Sequence, residues 1–293
     1  MTKTAKTFLS RLLSTVVLWA VVVGAFVLGS HAVFFALISL VVVLGLLEYF
    51  QLLKQATGSR RFTVQTVLVS VAYLAYLYQY RDGASPAVLG AVDGLALAAL
   101  VILLVATRLG SALEGRKSLD ELMRALFGFV YVTLLFSFAA KILCLPLLGA
   151  EGQPVSAWYV LFLVIVTKFT DTGAYVVGSM IGRHKCIPHI SPGKTWEGLL
   201  GGVLFAFIGA FACRALFAGH LPLLESTLWL VGITFSISVA SIIGDLSESI
   251  LKRTLEIKDS GQIMPGIGGV LDLIDSLLFT APVLYFYLIL LLG

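Results

Sequence analysis

Charged residues are scarce in this sequence: Asp, Glu, Lys and Arg make up 12% of 293 positions, whereas a soluble domain typically carries about 25%. Hydrophobic residues make up 59%, and the mean hydropathy is +1.02. A chain this apolar cannot cover itself with polar surface in water, and this excludes a soluble protein. Backbone groups in lipid must be paired internally, by helices or by a closed barrel. The apolar segments run about 18–25 residues without period-two alternation, and therefore predict helices.

Cysteine is also scarce, and the three that are present form no metal-ligand pattern. Cys144, Cys186 and Cys213 make no Cys-x-x-Cys pair and lie in or next to apolar segments, where cysteine is typically a small buried hydrophobe. Cys186 lies close to His184 and His189, but phosphate contacts explain that loop as well as zinc does. The net charge of +4 is modest, so we predict no nucleic-acid partner.

The hydrophobic segments predict an all-α, polytopic integral membrane protein with about nine transmembrane helices. The first, from Lys3 to Gly29, is long enough to span and lacks an Ala-x-Ala site, so we expect it to be uncleaved. Residues 1–123 form a predicted N-terminal scaffold of about four helices, and residues 124–293 a second region of about five. The remaining spans are predicted at 31–53, 63–80, 87–107, 124–148, 157–181, 197–219, 225–251 and 268–292.

The distribution of Lys and Arg predicts how these helices are oriented. Connections on the cytoplasmic side carry an excess of basic residues. Sixteen of the twenty lie in the N-terminal segment and in the second, fourth, sixth and eighth connections. The alternate connections carry almost none, Arg81 and Arg214 being the exceptions. We therefore predict a cytoplasmic N-terminus and a C-terminus outside.

Ionisable residues interrupt two predicted spans in the second half of the chain. In the sixth span, Lys168 and Asp171 are three residues apart on one helical face and can neutralise each other. Lys168 fits a buried packing pair as well as a functional role, whereas Asp171, among three threonines and a glycine, favours function. The eighth span ends in a polar stripe that must line a protein interior or a wet cavity. Its residues are Asp245, Glu248, Ser249 and Lys252.

A glycine-rich loop, residues 258–269, opens the last predicted span. Backbone N–H groups at a helix N-terminus favour phosphate, although glycines also let membrane helices pack closely. Asp272 and Asp275 then lie three residues apart on one helical face. Carboxylates there, facing Asp245 across a bundle, repel one another unless a cation lies between them. Oxygen ligands beside a phosphate indicate Mg²⁺ rather than zinc.

The sixth connection, residues 182–198, is basic and rich in turn residues. It contains the compact run Ser-Pro-Gly-Lys-Thr-Trp-Glu-Gly from Ser191 to Gly198. A loop that is basic only for reasons of topology remains an alternative, but so particular a run favours phosphate handling. It is not a Walker A loop, since the Gly-x4 frame and the strand before it are missing.

The second half of the sequence resembles the phosphatidate cytidylyltransferases, also called CDP-diacylglycerol synthases. The family's C-terminal signature has a Ser, a Lys-Arg pair, a Lys-Asp pair, a Pro-x-His-Gly-Gly segment and an Asp-Arg-x-Asp ending. The run from Ser191 to Gly198, and Asp171-Thr172 with Tyr175, also resemble family elements. The residues in register with the signature are Ser249, Lys252, Arg253, Lys258, Asp259, Pro265, Gly268, Gly269, Asp272 and Asp275.

Two positions depart from the family signature. Ile267 stands where the signature has His, and Leu273 where it has Arg. A mechanism that uses that His as a base is not open to this chain, and we expect loss of the Arg to alter phosphate contacts or nucleotide preference. Neither change removes a carboxylate, so the expected activity stands.

The resemblance implies condensation of CTP with phosphatidic acid to give CDP-diacylglycerol and pyrophosphate, in phospholipid biosynthesis. The lipid phosphate is already a nucleophile, so metal ions and basic side chains are needed to offset charge. We expect Asp245, Asp272 and Asp275 to hold Mg²⁺, with a second cation left open. With Lys252 and Asp259 they form the predicted catalytic set. The predicted substrate-binding residues are Asp171, Ser191, Lys194, Thr195, Glu248, Ser249, Arg253, Lys258, Gly268 and Gly269.

The polar residues gather at the predicted cytoplasmic ends of three spans, where CTP arrives from water. We therefore expect a multi-pass protein of the cell inner (plasma) membrane, with a lipid substrate entering between helices. The first three spans are expected to be scaffold or the surface of a homodimer. One alternative is a CTP-dependent enzyme on another lipid, such as a polyprenol kinase or an ether-lipid cytidylyltransferase. Another is an ion-coupled transporter, although no internal repeat supports it.

Overall fold

The computed structural model describes residues 20–26, 28–53, 60–255 and 268–292, most of them in helices. Within these ranges, seven helices are long and apolar enough to cross a membrane. The prediction of an all-α, polytopic membrane protein is confirmed, while the total of nine spans and the sides of the two termini stay predictions. The helices are α1 (His31–Leu53), α2 (Arg60–Leu77), α3 (Pro86–Leu109), α4 (Arg116–Leu143), α5 (Ser156–Ile181), α6 (Trp196–Leu216), α7 (Thr227–Thr254) and α8 (Val270–Leu292).

Two of the predicted spans have no matching membrane-crossing helix among the described residues. The first predicted span lies largely outside the described residues. The third corresponds to α2, which has 18 residues and is absent from the seven membrane-crossing candidates. Arg60, Arg61 and Gln65 lower the hydropathy of α2 below that of its neighbours.

Helix α4 differs most from its prediction. It begins at Arg116 rather than at residue 124 and ends at Leu143 rather than at 148. Its first turns are amphipathic, so Arg124 lies on the helix and not in a connection. A π-helical segment, Phe129–Leu134, lies within it. The helix stops before Pro146, because proline lacks an N–H and disfavours helical backbone in the residue before it.

The chain forms two compact units, which part within α4 and again within α8. The first consists of Met1–Ala140 with Ile257–Leu273, and the second of Lys141–Glu256 with Ile274–Gly293. The sequence predicts a division after residue 123 instead, and the roles assigned to the two regions stay predictions.

The first unit contains a polar network between its apolar helices. The Tyr73 hydroxyl donates to Asp93 Oδ1 at 2.6 Å and lies 2.9 Å from Ser137 Oγ. Nearby, the hydroxyls of Ser70 and Thr133 lie 2.8 Å apart. Because polar groups in lipid are costly unless hydrogen-bonded, this network ties α2, α3 and α4 together.

In the second unit, glycines let the helices approach closely. A Cβ at Gly198 would lie 2.8 Å from the Ala174 carbonyl oxygen, so only glycine lets α6 approach α5 there. On α7, a Cβ at Gly244 would lie 2.5 Å from the Asp275 carbonyl oxygen on α8. These contacts pack α6 tightly on α5, and α7 tightly on α8.

A short β-hairpin, missed by the prediction of a loop, joins α5 to α6. Strand β1 (Lys185–Ile187) pairs antiparallel with β2 (Ser191–Thr195). Glu197 closes the hairpin's base, since its carboxylate accepts the backbone N–H groups of Arg183 and His184. The Thr195 side chain then caps α6 by accepting the N–H of Gly198 at 3.1 Å.

Candidate active site

A cavity of about 390 Å³ lies in the second unit, between the hairpin, α5, α6 and α7. The close packing of α5 on α6 forms one wall, and the hairpin strand β2 forms another. The cavity brings together five residues that the sequence predicts for the site. They are Asp171, Ser191, Lys194, Thr195 and Asp245.

An ion pair joins the hairpin to α7 at this cavity. Lys194 Nζ lies 2.6 Å from Asp245 Oδ2, and the two side chains are 17% and 40% exposed. A lysine on a flexible four-carbon stem can change partners when an anion enters. Asp245 is exposed enough to be reached from the cavity.

Asp171 lines the cavity and accepts hydrogen bonds from two neighbouring helices. Its Oδ1 accepts the hydroxyls of Ser241 at 3.0 Å and Ser276 at 3.2 Å. Its Oδ2 lies 3.4 Å from Lys168 Nζ, one turn away on α5. Asp171 therefore links α5, α7 and α8, and Lys168 is at once a packing partner and part of the charged cluster.

Asp275 lies on α8 with only 7% of its surface exposed. The charged groups that act on it electrostatically are Lys168, Asp171 and Asp245. Its Oδ1 also accepts the N–H of Ser276 at 2.5 Å. With Lys194, these residues form a cluster of three carboxylates and two ammonium groups, which has one carboxylate in excess.

A second ion pair lies further along the polar stripe on α7. Lys252 Nζ lies 2.7 Å from Glu248 Oε2, and both side chains are largely buried. Arg253 is exposed, and its Nε donates to the Ile190 carbonyl at 3.3 Å, which ties the end of α7 to the hairpin turn. Ser249 lies partly buried on the same helix.

Three predicted residues lie at the start of α8, in the first unit. The N–H of Gly269 donates to Asp272 Oδ2 at 2.7 Å, so Asp272 caps its own helix. Gly268 has φ +115°, and a Cβ there would lie 2.5 Å from Asp272 Oδ2. Capping of the helix N-terminus therefore accounts for the position of the Asp272 carboxylate. The N–H of Gly269, predicted for phosphate, is occupied by this carboxylate.

Two predicted residues, Lys258 and Asp259, lie outside the described residues, as do Pro265 and Ile267 of the family signature. Sequence reasoning also missed residues that the structure adds to the site. Ser241 and Ser276 were not predicted, although Ser241 lies one turn before Asp245 on the same face of α7. Ser276 directly follows Asp275.

The donor chemistry of the cluster fits Mg²⁺. Carboxylate and hydroxyl oxygens surround Asp171 and Asp275, and these are the ligands that Mg²⁺ prefers. The excess carboxylate gives a cation an electrostatic reason to bind. Among the described residues, however, no group of three or more His, Cys, Asp or Glu side chains is arranged to hold a metal ion. The predicted set of Asp245, Asp272 and Asp275 stays a prediction.

Comparison with known proteins identifies the family. The profile of the cytidylyltransferase family matches residues 9–291. The chain belongs to the cytidylyltransferase family. This cytidylyltransferase is 32% identical to the phosphatidate cytidylyltransferase of Haemophilus influenzae over 288 residues, which cover 94% of the chain and 97% of that protein.

Two further relatives match shorter stretches of this cytidylyltransferase. It is 37% identical to the phosphatidate cytidylyltransferase of Bacillus subtilis over 194 residues, 66% of the chain and 67% of that protein. It is 38% identical to the uncharacterized protein YnbB of Escherichia coli over 181 residues, 61% of the chain and 58% of that protein. The match to YnbB thus spans less than two thirds of that protein, whereas the Haemophilus influenzae match spans nearly all of its length.

Proposed function

We propose that this cytidylyltransferase condenses CTP with phosphatidic acid to give CDP-diacylglycerol and pyrophosphate. The observation that carries the proposal is the charged cavity of the second unit, where Lys194 and Asp245 pair beside Asp171. The family membership supports CTP as the nucleotide. The full-length similarity to a protein named phosphatidate cytidylyltransferase supports the lipid substrate.

The reaction sets an electrostatic problem rather than a proton-transfer problem. An oxygen of the lipid phosphate attacks the α-phosphorus of CTP and forms the new P–O bond. The bond from that phosphorus to the bridging oxygen of the β-phosphate breaks, and pyrophosphate leaves with the electron pair. Both reactants are anions, so catalysis needs cationic groups placed around the transferring phosphorus. Ile267, at the signature's His position, is consistent with a reaction that needs no strong base.

The described lysines can supply this positive charge. Lys194 is the best placed, because it lines the cavity and pairs there with Asp245. When a triphosphate enters, the ammonium group can turn from Asp245 to a phosphate oxygen, and Asp245 is then left to accept another cation. Lys252 and Arg253 follow on α7, where Arg253 also holds the hairpin turn.

Mg²⁺, when bound, supplies charge neutralisation to the triphosphate and the leaving pyrophosphate. We propose that Asp245 and Asp275 hold it, with Asp272 as the third ligand on the strength of the sequence alone. Asp171 holds the hydroxyls of Ser241 and Ser276 and keeps Lys168 beside Asp275. A second cation remains part of the proposal.

The membrane setting follows from the same proposal. The lipid keeps its acyl chains in the bilayer and presents its phosphate laterally, while CTP arrives from water. The polar cavity therefore faces the cytoplasm in an inner (plasma) membrane protein, in agreement with the basic connections. The apolar surface of the first spans is available for scaffold contacts or a homodimer.

The test uses the purified full chain in detergent with phosphatidic acid, Mg²⁺ and CTP labelled in either the α- or the γ-phosphate. The expected result is α-label in the lipid product and γ-label in pyrophosphate, both abolished by a chelator. Asp245→Asn should remove the product, whereas Asp82→Asn, at a side chain 81% exposed in a turn, should not.

Other outcomes identify the alternatives. The γ-label in lipid would indicate a kinase and contradict cytidylyl transfer. Product formed with an ether-lipid phosphate but none with phosphatidic acid would keep the chemistry and overturn the proposed substrate. No use of CTP with any lipid, by folded protein, would contradict the proposal altogether.

A further inference from the structure

The β-hairpin that carries Lys194 is too small to hold its own shape. Strand β1 has three residues and β2 has five, and the pairing between them is irregular. An isolated two-stranded hairpin is marginally stable at best in water. The position of Lys194 at the cavity wall therefore depends on contacts that tie the hairpin to the helices.

Glu197, the second residue of α6, makes the side-chain contact that closes the base of this hairpin. Its Oε2 accepts the backbone N–H groups of Arg183 and His184, both at 3.2 Å. Its Oε1 lies 2.5 Å from Nδ1 of the His184 ring. One carboxylate thus joins the segment that enters β1 to the helix that follows β2.

The backbone is closed at the same place. The Trp196 N–H donates to the His184 carbonyl oxygen at 3.0 Å. Thr195, which directly follows Lys194, is 3% exposed, and a Cβ at Gly182 would lie 2.6 Å from its Oγ1. The chain that enters the hairpin and the chain that leaves it are therefore in close contact next to Lys194.

An acidic residue in the first turn of a helix has a simpler explanation, because negative charge there is favoured by the helix dipole. The contacts of Glu197 go further, since its Oε2 accepts N–H groups from the far side of the hairpin. Of the described residues at the start of α6, Thr195 and Gly198 line the cavity and Glu197 does not. Glu197 is thus placed to act on the site through the hairpin and not on the substrate.

We propose that Glu197 is a positioning residue of the cytidylyltransferase reaction: by closing the hairpin it holds Lys194 at the cavity wall. The closed hairpin keeps Lys194 Nζ 2.6 Å from Asp245 Oδ2, where an entering triphosphate can meet it. A misplacement of about 1 Å can cost a reaction about 10²-fold in rate. The kinetic consequence rests on the proposed function, whereas closure of the hairpin can be measured without it.

Three substitutions separate the geometry of Glu197 from its charge. Glu197→Gln removes the charge but keeps an oxygen that can accept both backbone N–H groups, while its amide N–H can donate to the His184 ring. Glu197→Asp keeps the charge at the start of α6 but is one carbon shorter, so its oxygens do not reach the N–H groups of Arg183 and His184. Glu197→Ala removes both the charge and the acceptor.

Two readouts are made on the full chain in detergent: hydrogen exchange of the amides at 183–184, and CDP-lipid formation at saturating CTP. Glu197→Ala should speed the exchange and lower kcat about ten- to a hundredfold. Glu197→Asp should behave like Glu197→Ala, whereas Glu197→Gln should recover most of both quantities. Glu225→Gln is the matched control and should change neither, since Glu225 is an exposed glutamate of the same unit that follows a short helical turn before α7.

A double substitution tests whether Glu197 acts through Lys194. Lys194→Ala combined with Glu197→Ala should be less than about threefold slower than Lys194→Ala alone, because a lysine that is absent cannot be displaced. Independent effects would multiply instead.

Unchanged exchange at 183–184 in Glu197→Ala would overturn the closure of the hairpin. Activity restored by Glu197→Asp but not by Glu197→Gln would overturn the proposal in favour of charge at the helix N-terminus. Multiplied losses in the double variant, or an equal loss in Glu225→Gln, would overturn the action through Lys194.

Failure of the proposed function gives a different result. If the wild-type chain made no CDP-lipid, that function would fail by itself, and the exchange measurement would still decide whether Glu197 closes the hairpin. If Glu197→Ala does not fold, the comparison of Glu197→Gln with Glu197→Asp decides the proposal.

Discussion

Lys194 Nζ lies 2.6 Å from Asp245 Oδ2, and this pair connects the β2 strand to α7 across the cavity. The lysine is the more buried of the two, with 17% of its side chain exposed against 40% for the aspartate. A lysine held at the wall of a polar cavity, with its partner open to solvent, is suited to exchange that partner for an incoming phosphate. The pair is therefore the most direct point at which to test the site.

Replacing Lys194 by Ala should lower kcat by about 10²–10³-fold, the usual effect of removing one group that stabilises developing charge. Lys185→Ala is the matched control, since Lys185 is exposed on β1 of the same hairpin. The measurement is the rate of CDP-lipid formation at saturating CTP. Equal effects of the two substitutions would mean that the hairpin contributes only general positive charge.

Gly198→Ala should destabilise the protein, because the new Cβ would lie 2.8 Å from the Ala174 carbonyl oxygen and force α6 away from α5. The expected loss is about 1–3 kcal/mol, as for other overpacked positions. Gly232→Ala, in α7, is the control, since nothing lies within 4 Å of its Cβ. Thermal unfolding in detergent measures the difference, and a transition unchanged from wild type would show that the helices can separate at little cost.

Ser276→Ala removes one of the two hydroxyls that Asp171 accepts. We expect roughly a fivefold loss of kcat, equivalent to about 1 kcal/mol for one hydrogen bond. Ser236→Ala is a control at the same helix interface, where Ser236 Oγ lies 2.9 Å from the Tyr287 hydroxyl. Activity lost in both variants alike would assign the effect to packing of α7 on α8 rather than to Asp171.

Asp275→Asn should weaken metal binding, because it removes one buried carboxylate from a cluster in which carboxylates outnumber ammonium groups. Binding of Mn²⁺, used in place of Mg²⁺ and followed by its paramagnetic resonance, should weaken about ten- to a hundredfold. Asp93→Asn should bind as wild type does. Tight Mn²⁺ binding retained by Asp275→Asn would remove this residue from the predicted ligands.

Local features of the sequence predicted most of the helices. The prediction for α1 agrees with the structure at both ends, and the predictions for α5 and α7 agree within a few residues. A long apolar run can be recognised from the residues of that segment alone. The start of α4 was missed because its first turns are amphipathic and charged, so hydropathy gives no signal there. The β-hairpin was missed because Pro188, Gly193 and the basic residues are typical of a loop.

Part of the candidate site was predicted because charged residues stand out next to apolar segments. Asp171, Lys194 and Asp245 stand out as polar residues next to apolar spans, and the structure brings all three to one cavity. Glu48 was overlooked, although it is as unusual in α1 as Asp171 is in α5. Its partner is the Leu271 N–H at the start of α8, 223 residues away, and no local pattern contains that contact.

The sequence by itself determined that this protein lives in a membrane, since 59% hydrophobic and 12% charged residues leave no other solvent for the chain. It also determined which ionisable side chains lie within apolar segments, where they need a partner or a function. Only the tertiary structure decided the partners: Lys194 with Asp245, the two serines with Asp171, and Glu48 with the start of α8. Hydropathy is a property of each segment alone, whereas an ion pair or a cap requires two segments to meet, and close packing at glycines sets where they meet.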